Sequence, residues 1–189
     1  MRAALRIFGI FATAVTAGCS NPTMLADVAT TPAENRSFTQ VSDDAGIKLK
    51  INEALLSSQY NDLFFDVSSI VYQGRVLLAG KVKTDADKAR AEALVRNVPE
   101  VKQIFNEIQV NVPGGLVSST NDAFIETEIK VRLVGTKDVK DVDYRWTSVN
   151  GTVYLMGYAQ SDAEAQRAID VIRNTKYVRQ VVPHIWTQP

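Results

Sequence analysis

The sequence predicts an α+β protein of two tandem α-β-β-α-β domains, each a small mixed three-stranded sheet with two helices packed on it. The first observation is an internal repeat: Tyr72–Asp85, reading YQGRVLLAGKVKTD, returns as Val149–Asp162, reading VNGTVYLMGYAQSD. The second is that, in each copy, a helical pattern precedes two β-rich runs and another helical pattern follows them. A repeat of this length indicates that one small fold occurs twice.

The first helix of the first repeat is predicted from its apolar period. Ile47, Ile51 and Leu55 recur every four residues, which places them on one face of a helix. Asp43 or Asp44 precedes this pattern, and aspartate is a favoured N-cap residue. We therefore expect the helix to begin at one of these aspartates.

A β-hairpin follows the first helix. Val67–Tyr72 and Arg75–Val82 are rich in β-branched and apolar residues, and Gln73 and Gly74 form the turn between them. The second repeat carries Asn-Gly at the same turn, whose central residues both need positive φ. After the hairpin, Thr84 or Asp85 caps an alanine-rich helix that ends before Pro99, and a last strand covers Val101–Val112.

The second repeat is predicted to follow the same order. Its elements are a helix from Asn121 or Asp122 to Val134, strands Asp143–Val149 and Thr152–Tyr158, a helix Asp162–Asn174 and a strand Val178–Trp186. Pro183 cannot donate a backbone hydrogen bond, so the last strand should lie at a sheet edge or carry a bulge.

The N-terminus has the pattern of a secretory signal peptide. Arg2 and Arg6 precede the apolar run Ile7–Val15, which is too short to span a membrane and leads into small residues and Cys19. Thr16-Ala17-Gly18-Cys19 resembles a bacterial lipobox, although Thr16 stands where Leu is usual; an ordinary signal peptide with a stray cysteine is the alternative. The resemblance implies a signal peptide over 1–18 and a diacylglycerol and an N-acyl chain, such as palmitate, on Cys19.

The remaining boundaries follow from composition. Residues 19–42 are predicted to be the lipidated N-terminus and a flexible tether, because Ser20–Gln40 is polar and has no apolar period. The domains are then 43–112 and 121–189, and Pro113-Gly114-Gly115 opens a linker over 113–120.

Composition argues against several functions. The formal net charge is +0, which does not favour nucleic-acid binding. One His and one Cys cannot supply a zinc site or a catalytic triad. His184 is interpreted as structural, and the pairs Asp85/Asp87 and Asp141/Asp143 as a helix cap and a solvated strand start. We expect no catalytic residue, no metal and no dissociable cofactor, and therefore no enzyme.

The hairpins carry a family resemblance. The pattern G-x-V-x-L-x-G followed by a capped helix is similar to the BON domain, and Gly74, Val76, Leu78 and Gly80 match it, as do Gly151, Val153, Leu155 and Gly157. Two such domains behind a lipobox resemble the dual BON-domain outer-membrane lipoproteins associated with division and outer-membrane stress. The resemblance implies a non-enzymatic, phospholipid-binding protein that supports envelope integrity. Since Ser20 is not the aspartate of inner-membrane retention, it also implies an outer-membrane, periplasm-facing address.

The two copies differ on their first helices. With an offset of 78 residues, Gly46 becomes Phe124 and Glu53 becomes Val131, which adds a second apolar stripe to the second helix. We predict that Phe124, Val131 and Val134 contact the acyl chains of an anionic phospholipid membrane, while Lys130 and Arg132 meet its headgroups.

Two alternatives stay open at this point. Phe124 and Val131 could instead bury against the other domain. The protein could also be an interaction module that docks on an outer-membrane assembly or division complex, with Trp146 and Trp186 as anchors if they are not core residues.

Overall fold

The computed structural model describes residues 34–56, 62–110, 112 and 116–187. In these residues the first repeat forms α1 (Phe38–Leu55), α2 (Asp62–Asp66), β1 (Val67–Tyr72), β2 (Arg75–Val82), α3 (Asp85–Arg96) and β3 (Gln103–Val110). The second repeat forms α4 (Leu116–Val134), a 3-10 turn (Asp141–Asp143), β4 (Tyr144–Val149), β5 (Thr152–Ala159), α5 (Asp162–Arg173) and β6 (Gln180–Thr187). The predicted order of elements is confirmed, and α2 and the 3-10 turn are additions to it.

Each repeat contains one mixed sheet of three strands. The strand orders are β1-β2-β3 and β4-β5-β6, with the central strand antiparallel to the first strand and parallel to the last. Strand β6 is therefore an edge strand, as its Pro183 predicts.

The starts predicted for the first helix of each repeat are wrong, whereas α3 and α5 begin at Asp85 and Asp162 as predicted. Helix α1 begins at Phe38, because Ser37 is its N-cap and forms a reciprocal capping box with Gln40. Helix α4 begins at Leu116, before the predicted Asn121 or Asp122. Residues 38–42 of the predicted tether and 116–120 of the predicted linker are thus helical.

The aspartates that were expected to cap the helices close the hairpin turns instead. All four central turn residues have positive φ: Gln73, Gly74, Asn150 and Gly151. The buried Asp44 carboxylate accepts the two N–H groups of the first turn at 2.7 and 2.8 Å. Asp122 accepts both N–H groups of the second turn at 2.8 Å. Each first helix is thereby fixed to the turn of its own hairpin.

The central strands are buried on both faces. Val76, Leu78 and Val82 of β2 point into the core beneath α1 and α3, and Val153, Leu155 and Ala159 of β5 into the core beneath α4 and α5. The alternate residues Leu77, Ala79, Tyr154 and Met156 pack in a third cluster between the two sheets. The two sheets therefore lie face to face, with the helices of each repeat on the outer layers.

The glycines that end the repeated motif are required by close backbone approach. A Cβ on Gly80 would collide with the carbonyl oxygen of Asp66, and one on Gly157 with that of Asp143. We expect Gly80→Ala to lower the free energy of unfolding by roughly 2–3 kcal/mol, because the backbone must shift to make room.

Gly46→Ala is the matched control. A Cβ at Gly46 meets nothing within 4 Å, and the residue lies inside α1. This change should raise stability by about 1 kcal/mol through helix propensity. Urea unfolding followed by circular dichroism measures both effects, and equal effects of the two changes would contradict this role of Gly80.

Candidate functional site

Helix α4 has an apolar outer face in addition to its core stripe. Ile125, Ile129 and Leu133 are fully buried beneath it. On the outer side Phe124, Val131 and Val134 are 43%, 65% and 61% exposed. The stripe that the sequence predicts is therefore a surface feature of the second repeat.

Tyr177 extends this surface. Its half-exposed ring meets the Phe124 ring edge-on, with centroids 5.6 Å apart, and the Lys176 Nζ lies 4.6 Å from the centroid of Tyr177. Sequence reasoning missed Tyr177, although the repeat offered a signal, since Glu100 stands at the equivalent position 77 residues earlier. We call Phe124, Val131, Val134 and Tyr177 the α4 face.

The two predicted headgroup ligands are engaged within their own repeat. Lys130 Nζ lies 2.7 Å from the Asp141 carboxylate. Arg132 pairs with Glu128 at 3.3 Å and donates to the carbonyl oxygen of Asn174 at 2.9 Å. Both cations adjoin the α4 face, but neighbouring carboxylates balance their charges.

The first repeat has a charged cleft at the corresponding corner. Gly46 replaces Phe124 there, and Lys50 pairs with Glu100 at 2.9 Å. These residues line an open cleft of about 450 Å³. At this corner, a pair of aromatic rings is thus present in the second repeat and absent from the first.

The contact between the repeats lies elsewhere. The cluster between the sheets joins Tyr72, Leu77 and Ala79 to Val149, Tyr154 and Met156. Since the sheets face each other and α4 lies on an outer layer, the α4 face is not part of this contact. The alternative in which Phe124 and Val131 bury against the other domain is wrong.

A polar segment before α1 also links the two repeats. Asn35 donates its backbone N–H and side-chain N–H to the fully buried Asp143 carboxylate at 2.6 and 2.7 Å. Glu34 pairs with Arg145 at 2.9 Å. Asp143 is therefore a buried link between repeats, and its interpretation as a solvated strand start is wrong.

Arg36 continues this link into the first repeat. Its guanidinium is buried, lies 2.6 Å from the Asp44 carboxylate and stacks 4.3 Å from the centroid of the Tyr72 ring. Desolvation lowers the pKa of Arg36, but hydrogen bonds to Asp44 and Glu34 outweigh it, so that the pKa lies above its ordinary value. Arg36 is therefore a buried, permanently charged partner of the residue that closes the first hairpin.

The aromatic and imidazole candidates have structural positions. Trp186 packs between the sheets, edge-on to Tyr72 at 5.3 Å, and Trp146 donates to the carbonyl oxygen of Glu126 at 3.2 Å. His184 lies 3.0 Å from the Glu107 carboxylate of the other repeat. Neither tryptophan is a free anchor for a partner.

The remaining chemistry of the described residues is limited. No group of three or more His, Cys, Asp or Glu side chains is placed there to hold a metal ion. None of the helices in the described ranges has both the length and the apolar character to cross a bilayer. Cys19, the predicted lipidation site, and the signal peptide lie outside the described residues.

The comparisons with known proteins agree with this architecture. A family model described as the BON domain matches residues 43–112 and 121–189. The chain belongs to the BON-domain family. The predicted fold class, two tandem BON domains that each contain a mixed three-stranded sheet, is thereby confirmed.

Three relatives extend the likeness beyond a single BON domain. The chain is 35% identical over 144 residues to an uncharacterized protein of the gshII 5′ region of Anaplasma centrale, covering 76% of this chain and 93% of that one. It is 29% identical over 157 residues to the outer membrane lipoprotein DolP of Haemophilus influenzae, covering 83% and 79%. It is also 29% identical over 153 residues to a 21 kDa hemolysin of Actinobacillus pleuropneumoniae, covering 81% and 78%. The predicted resemblance to dual BON-domain lipoproteins is confirmed.

Proposed function

We propose that this protein is a non-enzymatic outer-membrane lipoprotein that faces the periplasm, is anchored by acyl chains on Cys19 and supports envelope integrity. The α4 face of its second BON domain binds anionic phospholipid. The similarity to an outer membrane lipoprotein and the lipobox-like Thr16–Cys19 support the anchor and the address.

The observation that carries lipid binding is the exposure of the α4 face. An apolar surface that no other part of the described chain covers, with basic residues at its edge, is typical of a helix that lies in a membrane interface. Phe124 and Tyr177 supply aromatic rings at one end of this surface, and Val131 and Val134 supply aliphatic groups at the other. The first BON domain has Gly46 and Glu100 in place of this aromatic pair, so the proposal assigns lipid binding to the second.

The contact of the α4 face with lipid is too weak to hold the protein on a membrane without an anchor. Burying one Phe contributes roughly 2–3 kcal/mol, which does not hold a free domain on a membrane. The sequence predicts a flexible tether between Cys19 and the first BON domain. A tether of this kind produces an effective concentration on the order of millimolar, at which a weak contact is substantially occupied.

The ion pairs of Lys130 and Arg132 weaken the preference for anionic lipid that their charges would otherwise give. Because Asp141 and Glu128 pair with them, anionic headgroups must compete with carboxylates for these cations. Surface pairs of this kind are weak, so headgroups at high local density can exchange with them. In this proposal, insertion of the apolar side chains therefore contributes most of the binding free energy, and contact with the headgroups contributes less.

The experiment compares the unmodified chain with a Phe124→Asp/Val131→Asp variant. We expect the partition coefficient onto phosphatidylglycerol vesicles to fall about tenfold or more, because the apolar groups are lost and like charge is introduced. Both chains begin at Ser20, so that all described residues are kept and the contact is measured without the anchor. Circular dichroism confirms that the variant is folded.

Leu49→Asp is the matched control, since Leu49 is also an exposed apolar residue but belongs to α1. This variant should bind vesicles as the unmodified chain does. Unchanged binding by the folded double variant, or an equal loss from Leu49→Asp, would overturn the assignment of lipid binding to α4.

A protein partner in an outer-membrane assembly or division complex is the competing proposal. This alternative depended on Trp146 and Trp186 as anchors, and both are packed within the protein. Vesicle binding by the purified chain, with no other protein present, separates the two functions.

A further inference from the structure

The two BON domains are related by an approximate two-fold axis between their sheets. The cluster between the sheets contains Leu77 and its equivalent 77 residues later, Tyr154. Glu107 and His184 are also equivalent to each other, and they lie 3.0 Å apart across the two domains. Contact between two equivalent residues is the mark of a two-fold relation. Each contact on one side of this axis therefore has an equivalent place on the other side.

On one side of the axis, the seam between the domains is covered by Glu34–Arg36, which we call the strap. Asn35 donates two hydrogen bonds to the Asp143 carboxylate of the second domain. Arg36 pairs with Asp44, the residue that closes the hairpin turn of the first domain. The strap thus brings a guanidinium and an amide to one carboxylate of each domain.

On the other side of the axis, the equivalent seam is an open groove of about 480 Å³. The first domain contributes Asp66 to this groove, which is the equivalent of Asp143. The second domain contributes Asp122, which is the equivalent of Asp44. The groove therefore presents the same two carboxylates that the strap contacts on the opposite side.

The sequence does not supply a second strap of the same chemistry. With the offset of 78 residues, Pro113 and Gly114 stand where the first repeat has Asn35 and Arg36. Proline has no backbone N–H to donate, and neither residue has a polar side chain. The counterparts of the strap residues therefore cannot make the hydrogen bonds that Asn35 and Arg36 make.

The groove is acidic. Among the described residues that line it, Asp66, Asp122 and Glu126 are acidic and Lys81 is basic. Asp122 is buried and accepts both N–H groups of the second hairpin turn and the Ser148 hydroxyl, but no basic side chain of the described chain pairs with it. A charged hydrogen bond from a guanidinium is stronger than a neutral one, so an arginine at this carboxylate would be favoured.

We propose that this groove binds a short, arginine-containing segment of a partner protein, held as the opposite seam holds the strap. The arginine pairs with Asp122, and the residue before it donates its backbone N–H to Asp66. Phe65, which lines the groove and is 79% exposed, offers an apolar surface to a flanking residue of the segment.

The groove is distinct from the α4 face. Asp122 and Glu126 lie on the side of α4 that faces the seam, whereas Phe124 and Val131 lie on its outer side. A segment in the groove leaves the outer side of α4 exposed. This inference therefore does not rest on lipid binding, and both contacts can form in one molecule.

Titration with a capped Ala-Asn-Arg-Ser peptide, followed by the backbone amide signals of the chain that begins at Ser20, tests the groove. The peptide copies the strap without Glu34. The Gly151 amide should shift, because it donates to Asp122, whereas the Gly74 amide should not, because its acceptor Asp44 already holds Arg36. A peptide with Met in place of Arg should bind about tenfold more weakly or less, because it has no charged donor.

Asp66→Asn tests the other wall of the groove, since the exposed Asp66 side chain can change without loss of the fold. This variant should bind the arginine peptide several-fold more weakly. Asp62→Asn is the matched control, because Asp62 is also an exposed acid of α2 but does not line the groove. It should bind the peptide as the unmodified chain does.

Each contrary outcome overturns the proposal. A Gly151 amide that does not shift at millimolar peptide would show that no arginine reaches Asp122. Equal binding of the Met peptide, equal shifts at Gly74, or equal losses from Asp66→Asn and Asp62→Asn would reduce the contact to general attraction. Because the titration contains no lipid, its failure would leave the lipid-binding proposal standing.

Discussion

Replacing Asp44 by alanine should lower the free energy of unfolding by about 3–5 kcal/mol, because it removes one partner of a buried ion pair. The carboxylate accepts both N–H groups of the first hairpin turn and pairs with the buried guanidinium of Arg36. Urea unfolding, followed by circular dichroism, measures the loss.

Asp122→Ala is the matched control in the second BON domain. It also removes the acceptor for two turn N–H groups, but no arginine is paired with Asp122 in the described chain. Its expected cost is about 2–3 kcal/mol, from unsatisfied buried donors. Adding Arg36→Met to Asp44→Ala should recover part of the loss, since no buried charge then remains. Equal costs for the two alanine variants, with no recovery, would contradict the role given to Arg36.

Leu77→Asp should cost more than about 4 kcal/mol, because it places an unpaired charge between the two sheets. Leu77 is fully buried in the cluster that joins the BON domains. We expect chains that keep their helices by circular dichroism to lose the cooperativity of unfolding between the domains. Limited proteolysis between residues 110 and 116 should become faster.

Leu77→Met provides the control, because a swap that conserves volume costs less than about 1.5 kcal/mol. The same pair of changes at Met156, to Asp and to Leu, probes the opposite sheet. If Leu77→Asp left unfolding cooperative and proteolysis slow, the packing of the two sheets would not couple the domains.

The repeated motif predicted the fold because its apolar residues alternate, which places them on one face of a β-strand. Val76 and Leu78, like Val153 and Leu155, face the helices of their own domain. The turn glycines and Pro183 also lie where backbone chemistry required.

The packing of the two sheets was not predicted, although a signal for it exists. A strand that covers one core alternates apolar and polar residues, whereas Val76–Ala79 has no polar residue and is buried on both faces. Nothing local identifies the partner of the second face, since it belongs to strands 77 residues away. The pairing of Arg36 with Asp44 was not predicted either. Arg36 stands in a segment with no periodic pattern, so nothing in the sequence indicates which residue it contacts.

The candidate site was predicted in its apolar part and less well in its polar part. Phe124, Val131 and Val134 are exposed because three other residues of α4 already form its contact with the core. Tyr177 was missed because it lies in a loop, where helix periodicity gives no information. The partners of Lys130 and Arg132 depend on tertiary contacts with Asp141 and the end of α5, which no spacing rule reveals.

The depth of a nitroxide label in phosphatidylglycerol vesicles tests the central claim most directly. Labels on Val131→Cys and, separately, on Leu49→Cys report on the α4 face and on the exposed side of α1. The account predicts that the Val131 label becomes accessible to oxygen in the acyl region and shielded from a water-soluble nickel relaxant, while the Leu49 label stays in water. A Val131 label that remains in water on vesicle-bound protein would contradict the account, as would a Leu49 label that lies deeper.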